Sequence, residues 1–212
     1  GMAVRGKELF VTDLDYIRIF DLKSGRKKGQ IHVPSSSSLT AIAIDKKGQI
    51  FVADSGRATA ARPAGTSGVY RVTRNGKVEP LIRSAVFGRI SGLILDRGVV
   101  WLTSRSASRL YGVKADGSLI RGKKQETGSL AGIVMTQTGD VLVASSSGRK
   151  VYSGPIGGPY SEALVGVQGA GLLGWDPDLS RLLIPLPRIN EVEIHSIKMA
   201  KKKKRKRRKR RR

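Results

Sequence analysis

The chain has no cysteine, which excludes disulfides, thiolate metal sites and cysteine nucleophiles and leaves both oxidising and reducing compartments open. Histidine is nearly absent: His32 and His195 are too few for a histidine-rich metal centre. No apolar run is long enough to cross a bilayer, and the start lacks the basic, then apolar, then small-residue order of a secretion signal, so the chain as given reads as soluble. Sustained helical periodicity is also missing. Acidic residues are scarce, 16 against 40 lysines and arginines, for a net charge of +24. Half of that charge sits in residues 201–212, and the other half is spread over residues 1–200. An excess of this size bears on partners and solubility rather than on fold.

What is present is glycine and short apolar runs. Twenty-six glycines against 8 prolines, with 39% hydrophobic residues in brief Val, Ile and Leu stretches, point to an all-β fold whose turns need positive φ. The stretch LTAIAIDKKGQIFVADSG, from Leu39 to Gly56, sets out a unit: an apolar strand, a polar turn ending in glycine, a second apolar strand and a small polar exit. The unit recurs as GMAVRGKELFVTD from Gly1, SGLILDRGVVWLTS from Ser91, AGIVMTQTGDVLVAS from Ala131 and GLLGWDPDLSRLLIPLP from Gly171. Starts roughly 40 residues apart are the spacing of four-stranded propeller blades. The expectation is an all-β propeller of five recognisable units, approximately 1–38, 39–89, 90–129, 130–169 and 170–200, followed by a disordered polybasic tail at 201–212.

Within this plan the four serines Ser35 to Ser38 read as a linker between blades, without a core-forming side chain. The second unit carries an insertion, SGRATAARPAGTS from Ser55 to Ser67, which is either a binding loop or a mobile insertion. Gly154 to Pro159, GPIGGP, lacks the Lys and Ser/Thr of a phosphate loop and reads as a turn between strands. The last unit supplies three strands and stops where a fourth is due. The ring is therefore either five-bladed with a thin last blade or a piece of a larger one, and an open ring would leave two bare blade faces prone to self-association.

The strand-turn-strand pattern of AIAIDKKGQIFVADS, Ala41 to Ser55, and GLILDRGVVWLTS, Gly92 to Ser104, resembles the NHL-repeat and senescence-marker-protein/gluconolactonase families of β-propellers. The resemblance extends loosely over residues 1–198 and implies a ring that in those families typically has six blades. In the lactonase branch it further implies an axial divalent metal held by Glu, Asn and Asp at the residue before each inner-strand glycine. Here those positions are Thr40, Ser91, Ala131 and Ala170, none of them an acid or amide. The resemblance thus carries the fold and not the metal site, and no cofactor, metal or catalytic residue is expected. A metal-dependent lactone or ester hydrolase is kept as the alternative function.

Among carboxylates, Asp45, Asp96, Asp116 and Asp176 read as turn acids, while Asp13 and Asp54, at the ends of second strands, form the best pair available for acid/base work. The loops joining second to third strands share one face of a propeller with the crossings between blades. They contribute Arg57, Arg62, Arg105, Arg109, Arg149, Lys150 and Arg188, a candidate ligand-binding face for an anion; the plainer reading is a generally basic, solvated surface. The tail, Lys201, Lys202, Lys203, Lys204, Arg205, Lys206, Arg207, Arg208, Lys209, Arg210, Arg211 and Arg212, has the charge density to bind nucleic acid or other polyanions. It also fits a nuclear-localisation run, an anchor to anionic lipid or an appended segment. The function expected from sequence is a non-catalytic binding scaffold with a basic face and a polycationic tail.

Overall fold

A computed structural model of the chain describes residues 1–58, 65–124, 128–186 and 189–197. It is a five-bladed β-propeller arrangement. The first blade holds β1 (Met2–Arg5), β2 (Glu8–Asp13), β3 (Tyr16–Asp21) and β4 (Lys27–His32); the second, β5 (Leu39–Ile44), β6 (Ile50–Asp54), β7 (Gly68–Val72) and β8 (Val78–Arg83). The third holds β9 (Ile90–Asp96), β10 (Val99–Ser104), β11 (Arg109–Val113) and β12 (Leu119–Lys124); the fourth, β13 (Leu130–Met135), β14 (Asp140–Ser145), β15 (Lys150–Pro155) and β16 (Ser161–Val165). The fifth has three strands among the described residues, β17 (Gly174–Asp176), β18 (Arg181–Leu186) and β19 (Glu191–Ser196). Strands pair in sequence order within each sheet and run antiparallel. A single turn of 3-10 helix, Ala85–Phe87, lies on the crossing into the third blade. No described helix is long and apolar enough to cross a membrane.

Burial follows from a strand's place in its blade. Second strands of the middle blades are flanked by a neighbouring sheet on each side, so β10 (VVWLTS) and β14 (DVLVAS) are buried at nearly every position and read as continuous apolar runs rather than alternating ones. Outer strands such as β4 and β16 have exposed and half-buried residues only. The turn from β9 to β10 ends at Gly98, whose φ of 79° belongs to the left-handed region that glycine enters without strain.

The inner strands crowd round the axis, and the repeat's glycine is the reason they can. A Cβ built on Gly132 would lie 2.5 Å from the Leu173 nitrogen and 2.7 Å from the Gly171 carbonyl oxygen. One on Gly92 would lie 2.8 Å from Thr103 Oγ1 and 2.9 Å from the Ala131 oxygen. The approach is held by hydrogen bonds: the Gly132 N–H donates to Gly171 O at 2.7 Å, and Thr103 Oγ1 donates to Ala131 O.

Hydrophobic clusters fill the junctions between successive blades. Phe10, Ile17 and Val52 belong to the first junction, Val69, Leu93 and Leu102 to the second, Trp101, Leu110 and Val143 to the third, and Leu142, Val151 and Leu182 to the fourth. Among the described residues no cluster joins the fifth sheet to the first. Met2 and Val4 on β1 are 71% and 54% exposed, and Val192 and Ile194 on β19 are 56% and 57% exposed, so the two end sheets present apolar side chains to solvent.

The serine run is the crossing from β4 to β5, as the linker reading has it, and two of its side chains are buried as well. Ser36 and Ser37 are buried, and Ser36 Oγ donates to Val33 O at 2.8 Å. The segment is a fitted part of the first junction, its small side chains letting the backbone pass under the end of β6.

The inner-strand constraint predicts that Gly132→Ala costs about 3 kcal/mol, the scale of forced overpacking. Gly29→Ala, where a Cβ meets nothing within 4 Å, should stay within about 0.5 kcal/mol of wild type. Urea unfolding midpoints at constant m-value measure both.

Candidate functional site

Antiparallel alternation puts the starts of β1, β5, β9, β13 and β17, the crossings that lead into them and the second-to-third-strand loops on one face of the ring. At its centre, the positions where the lactonase resemblance would place metal ligands are tied up in the scaffold. Thr40 Oγ1 donates to Ile90 O at 3.2 Å, and Ser91 Oγ lies 2.9 Å from Leu130 O and 3.1 Å from Ala131 O, so each hydroxyl bridges to the next blade's inner strand. Ala131 and Ala170 are buried. Among the described residues there is no group of three or more His, Asp or Glu side chains suited to a metal.

Asp13 and Asp54 do not form a working pair. Asp54 is 1% exposed and accepts four hydrogen bonds, from Ser37 N at 3.0 Å, Ser37 Oγ at 3.3 Å, Ser38 N at 2.8 Å and Gly56 N at 3.0 Å. Its carboxylate fastens the serine crossing to the loop that leaves β6. The equivalent residue of the third blade, Ser104, acts the same way: its hydroxyl donates to Phe87 O at 2.5 Å and accepts from Ala107 N at 3.0 Å. In the fourth blade Ser145 Oγ accepts from Gly148 N at 3.1 Å. The small polar exit of the repeat is thus a latch. Asp13 is exposed and pairs with Arg18 at 2.9 Å. The turn acids are local caps: Asp45 accepts from the Lys47 and Gln49 backbone at 2.8 Å, Asp116 from Ser118 at 2.9 Å, and Asp176 from Asp178 at 3.0 Å. The Ser118 hydrogen bonds hold the Asp116 carboxyl below its ordinary range.

The cations lie as a crescent on this face. Arg57 leaves β6, Arg105 leaves β10, Arg109 opens β11, and Arg149 and Lys150 meet at the start of β15. Arg57, Arg105 and Arg149 are exposed, Arg109 and Lys150 half-buried. Lys150 is drawn to Glu162 on β16, and that contact raises its pKa. Arg62 and Arg188 lie outside the described residues, as do Lys201 to Arg212. Sequence reasoning missed two members: Arg83, at the end of β8, and Arg89, on the crossing into the third blade, are both exposed on this face. The Arg105 N–H donates to Arg89 O at 2.8 Å, which joins crossing and loop into one basic patch. The signal was available, because crossings share the face with the loops that were counted. Over the first blade the face turns acidic, with Asp13 and with Asp15, which lies 3.3 Å from His32.

No protein-family model and no curated protein sequence matches this chain. Solved structures of the same fold do. A chain of a nidogen/laminin complex is similar with a TM-score of 0.76 at 17% identity, over 90% of this chain and 74% of that one. Streptogramin B lyase is similar with a TM-score of 0.68 at 13% identity, over 94% and 68% of the two chains. A putative gluconolactonase gives 0.69 at 13% identity, over 91% and 73%. At such identities the likeness is one of fold, and the resemblance drawn from the repeats holds at that level.

The latch predicts that Asp54→Ala destabilises the protein by about 3 kcal/mol, since buried N–H donors lose their acceptor. Asp13→Ala, which breaks an exposed ion pair, should cost under about 1 kcal/mol. Thermal unfolding followed by far-UV circular dichroism separates the two.

Proposed function

We propose that the chain is a non-catalytic propeller scaffold that binds polyanions, nucleic acid first among them, through its basic face and its polycationic tail. The observation that carries this reading is the crescent of exposed arginines, Arg57, Arg83, Arg89, Arg105 and Arg149, spanning the second to fourth blades. Guanidinium groups on a rigid rim match phosphate oxygens with paired donors, and their summed field raises the local concentration of anions. The tail adds twelve cations, a charge density suited to a phosphate backbone. On the same face Asp54 is engaged in a latch and Thr40 and Ser91 in inner-strand bridges, so the exposed cations are the groups best placed to meet a ligand. Lactone hydrolysis has less to build on, because Thr40, Ser91, Ala131 and Ala170 occupy the axial positions.

The same reading includes self-association through the end sheets, where Met2, Val4, Val192 and Ile194 are exposed. The chain from a nidogen/laminin complex is an example of a similar propeller found within a protein assembly.

Counterion release supplies the test. Log affinity for duplex DNA should fall against log salt with a slope of about −0.9 per phosphate neutralised. Removal of residues 201–212 should flatten the slope and abolish most binding. Arg57→Glu, Arg105→Glu and Arg149→Glu together should remove a smaller, measurable part from the full chain. Equal binding by the truncated protein would shift the site entirely to the propeller face, and no binding by either form would overturn the reading.

A further inference from the structure

On the opposite face, where first strands turn into second and third into fourth, a cleft of about 900 Å³ opens between the second and third blades. Its walls are apolar, formed by Phe51, Leu81, Leu95, Val100 and Met135. Its rim carries Lys46, Lys47, Arg71 and Arg97. Two carboxylates also line it. Asp45 is engaged with the Lys47 and Gln49 backbone, and Asp96 lies 3.9 Å from Arg97, so the rim remains cationic.

Register shows how the cleft arises. The central residue of each second strand stands opposite one residue of the third strand, and that pair faces the next blade. The pairs are Phe10 with Ile19, Phe51 with Arg71, Trp101 with Gly112, and Leu142 with Ser153. Phe10, Trp101 and Leu142 are buried, at 0%, 9% and 0% exposure, because their partners are apolar or small and the junction closes over them. Gly112 lets the Trp101 ring lie where a Cβ would be 3.1 Å away. Only half-buried, Phe51 has a long cation beside it in place of a filler.

Arg71 is held rather than loose. One terminal nitrogen lies 2.8 Å from Glu79, which Lys77 also contacts at 2.8 Å. These two cations, Lys77 first, pull the Glu79 carboxyl down to about 2. The Nε of Arg71 is buried and has no hydrogen-bond partner.

We infer that this cleft is a binding site for an amphipathic organic anion, its apolar body against Phe51, Leu95, Val100 and Met135 and its carboxylate, sulfonate or phosphate head at Arg71. A volume of this size holds a small-molecule ligand, and an apolar wall with a few converging polar groups is the usual composition of such sites. A polyphosphate would leave the apolar wall wet. A neutral lipid would leave the cationic rim of Lys46, Lys47, Arg71 and Arg97 without a counterion. The site is on the face opposite the arginine crescent and independent of it.

The test uses the full chain labelled at its methionine methyl groups and titrated with octanesulfonate, with 1-octanol as the neutral counterpart. The chain has 3 methionines, so the spectrum is simple, and Met135 lines the cleft while Met2 lies on β1. The expected result is a saturable 1:1 shift of the Met135 methyl with octanesulfonate, at least tenfold weaker for octanol. Arg71→Met should weaken octanesulfonate binding about tenfold, and Arg71→Lys less, since a charged hydrogen bond is lost outright in one and partly kept in the other. Sulfonate adsorbing to the basic tail would leave the Met135 methyl unmoved. An unmoved Met135, or an Arg71→Met protein that titrates like wild type, overturns the inference.

Discussion

The distance between neighbouring inner strands governs this molecule. Backbones around the axis come close enough that a β-carbon at Gly92 or Gly132 would overlap the next blade's strand. The glycines are therefore fixed by a steric limit between blades, and everything outward inherits its position from it. With the inner strands in contact, second strands of the middle blades are sandwiched and must be apolar on both faces, while outer strands meet water and can be polar. The hydroxyls of Thr40, Ser91 and Thr103 belong to the same constraint, since each satisfies an inner-strand carbonyl of the adjoining blade.

Polar latches form a second layer on that frame. A crossing between blades is backbone that has left its sheet while still partly buried, and its N–H groups need acceptors. Asp54 meets this need for the serine crossing, and Ser104 takes up a carbonyl of the crossing that contains Phe87. A repeat that ends its second strand in Asp or Ser thus carries a structural instruction that looks, in one dimension, like a row of candidate catalytic groups. Among the described residues the hydroxyls nearest the axis, those of Thr40 and Ser91, are committed to the scaffold.

The propeller was legible because its signals are periodic. A strand-turn-strand unit repeats five times, with a glycine in the turn of the first four, and the apolar stretches that became β2, β6, β10 and β14 could be placed from their composition alone. The serine run was legible as a crossing between blades but its burial was not, because small hydroxyls carry no apolar signal, and only the carboxylate of Asp54, seventeen residues further on, makes Ser37 a buried fixture. Five loop cations, Arg57, Arg105, Arg109, Arg149 and Lys150, could be assigned to one face from topology, but Arg83 and Arg89 sit at the margins of the crossing and fell outside a rule framed on loops. The cleft beside Arg71 could not be seen at all. An isolated arginine in a strand is unremarkable until the register shows which side chain it stands beside.

That register also explains how a repeat protein can differ at one junction without losing its fold. The pairs Phe10–Ile19, Trp101–Gly112 and Leu142–Ser153 solve one volume problem by different divisions between two side chains, the largest ring meeting the smallest partner. Each junction is closed by its own pair, so an exception at one leaves the others sealed. At Phe51 and Arg71 the total volume is ample, yet the second side chain is a cation that cannot give up its charge to the core, and Glu79 draws it toward the outer strand. The junction stays open at that end while Val69, Leu93 and Leu102 close it further along. A single residue therefore converts part of a packing interface into a lined cavity, and a repeat architecture accommodates the change because its stability is distributed over the remaining junctions.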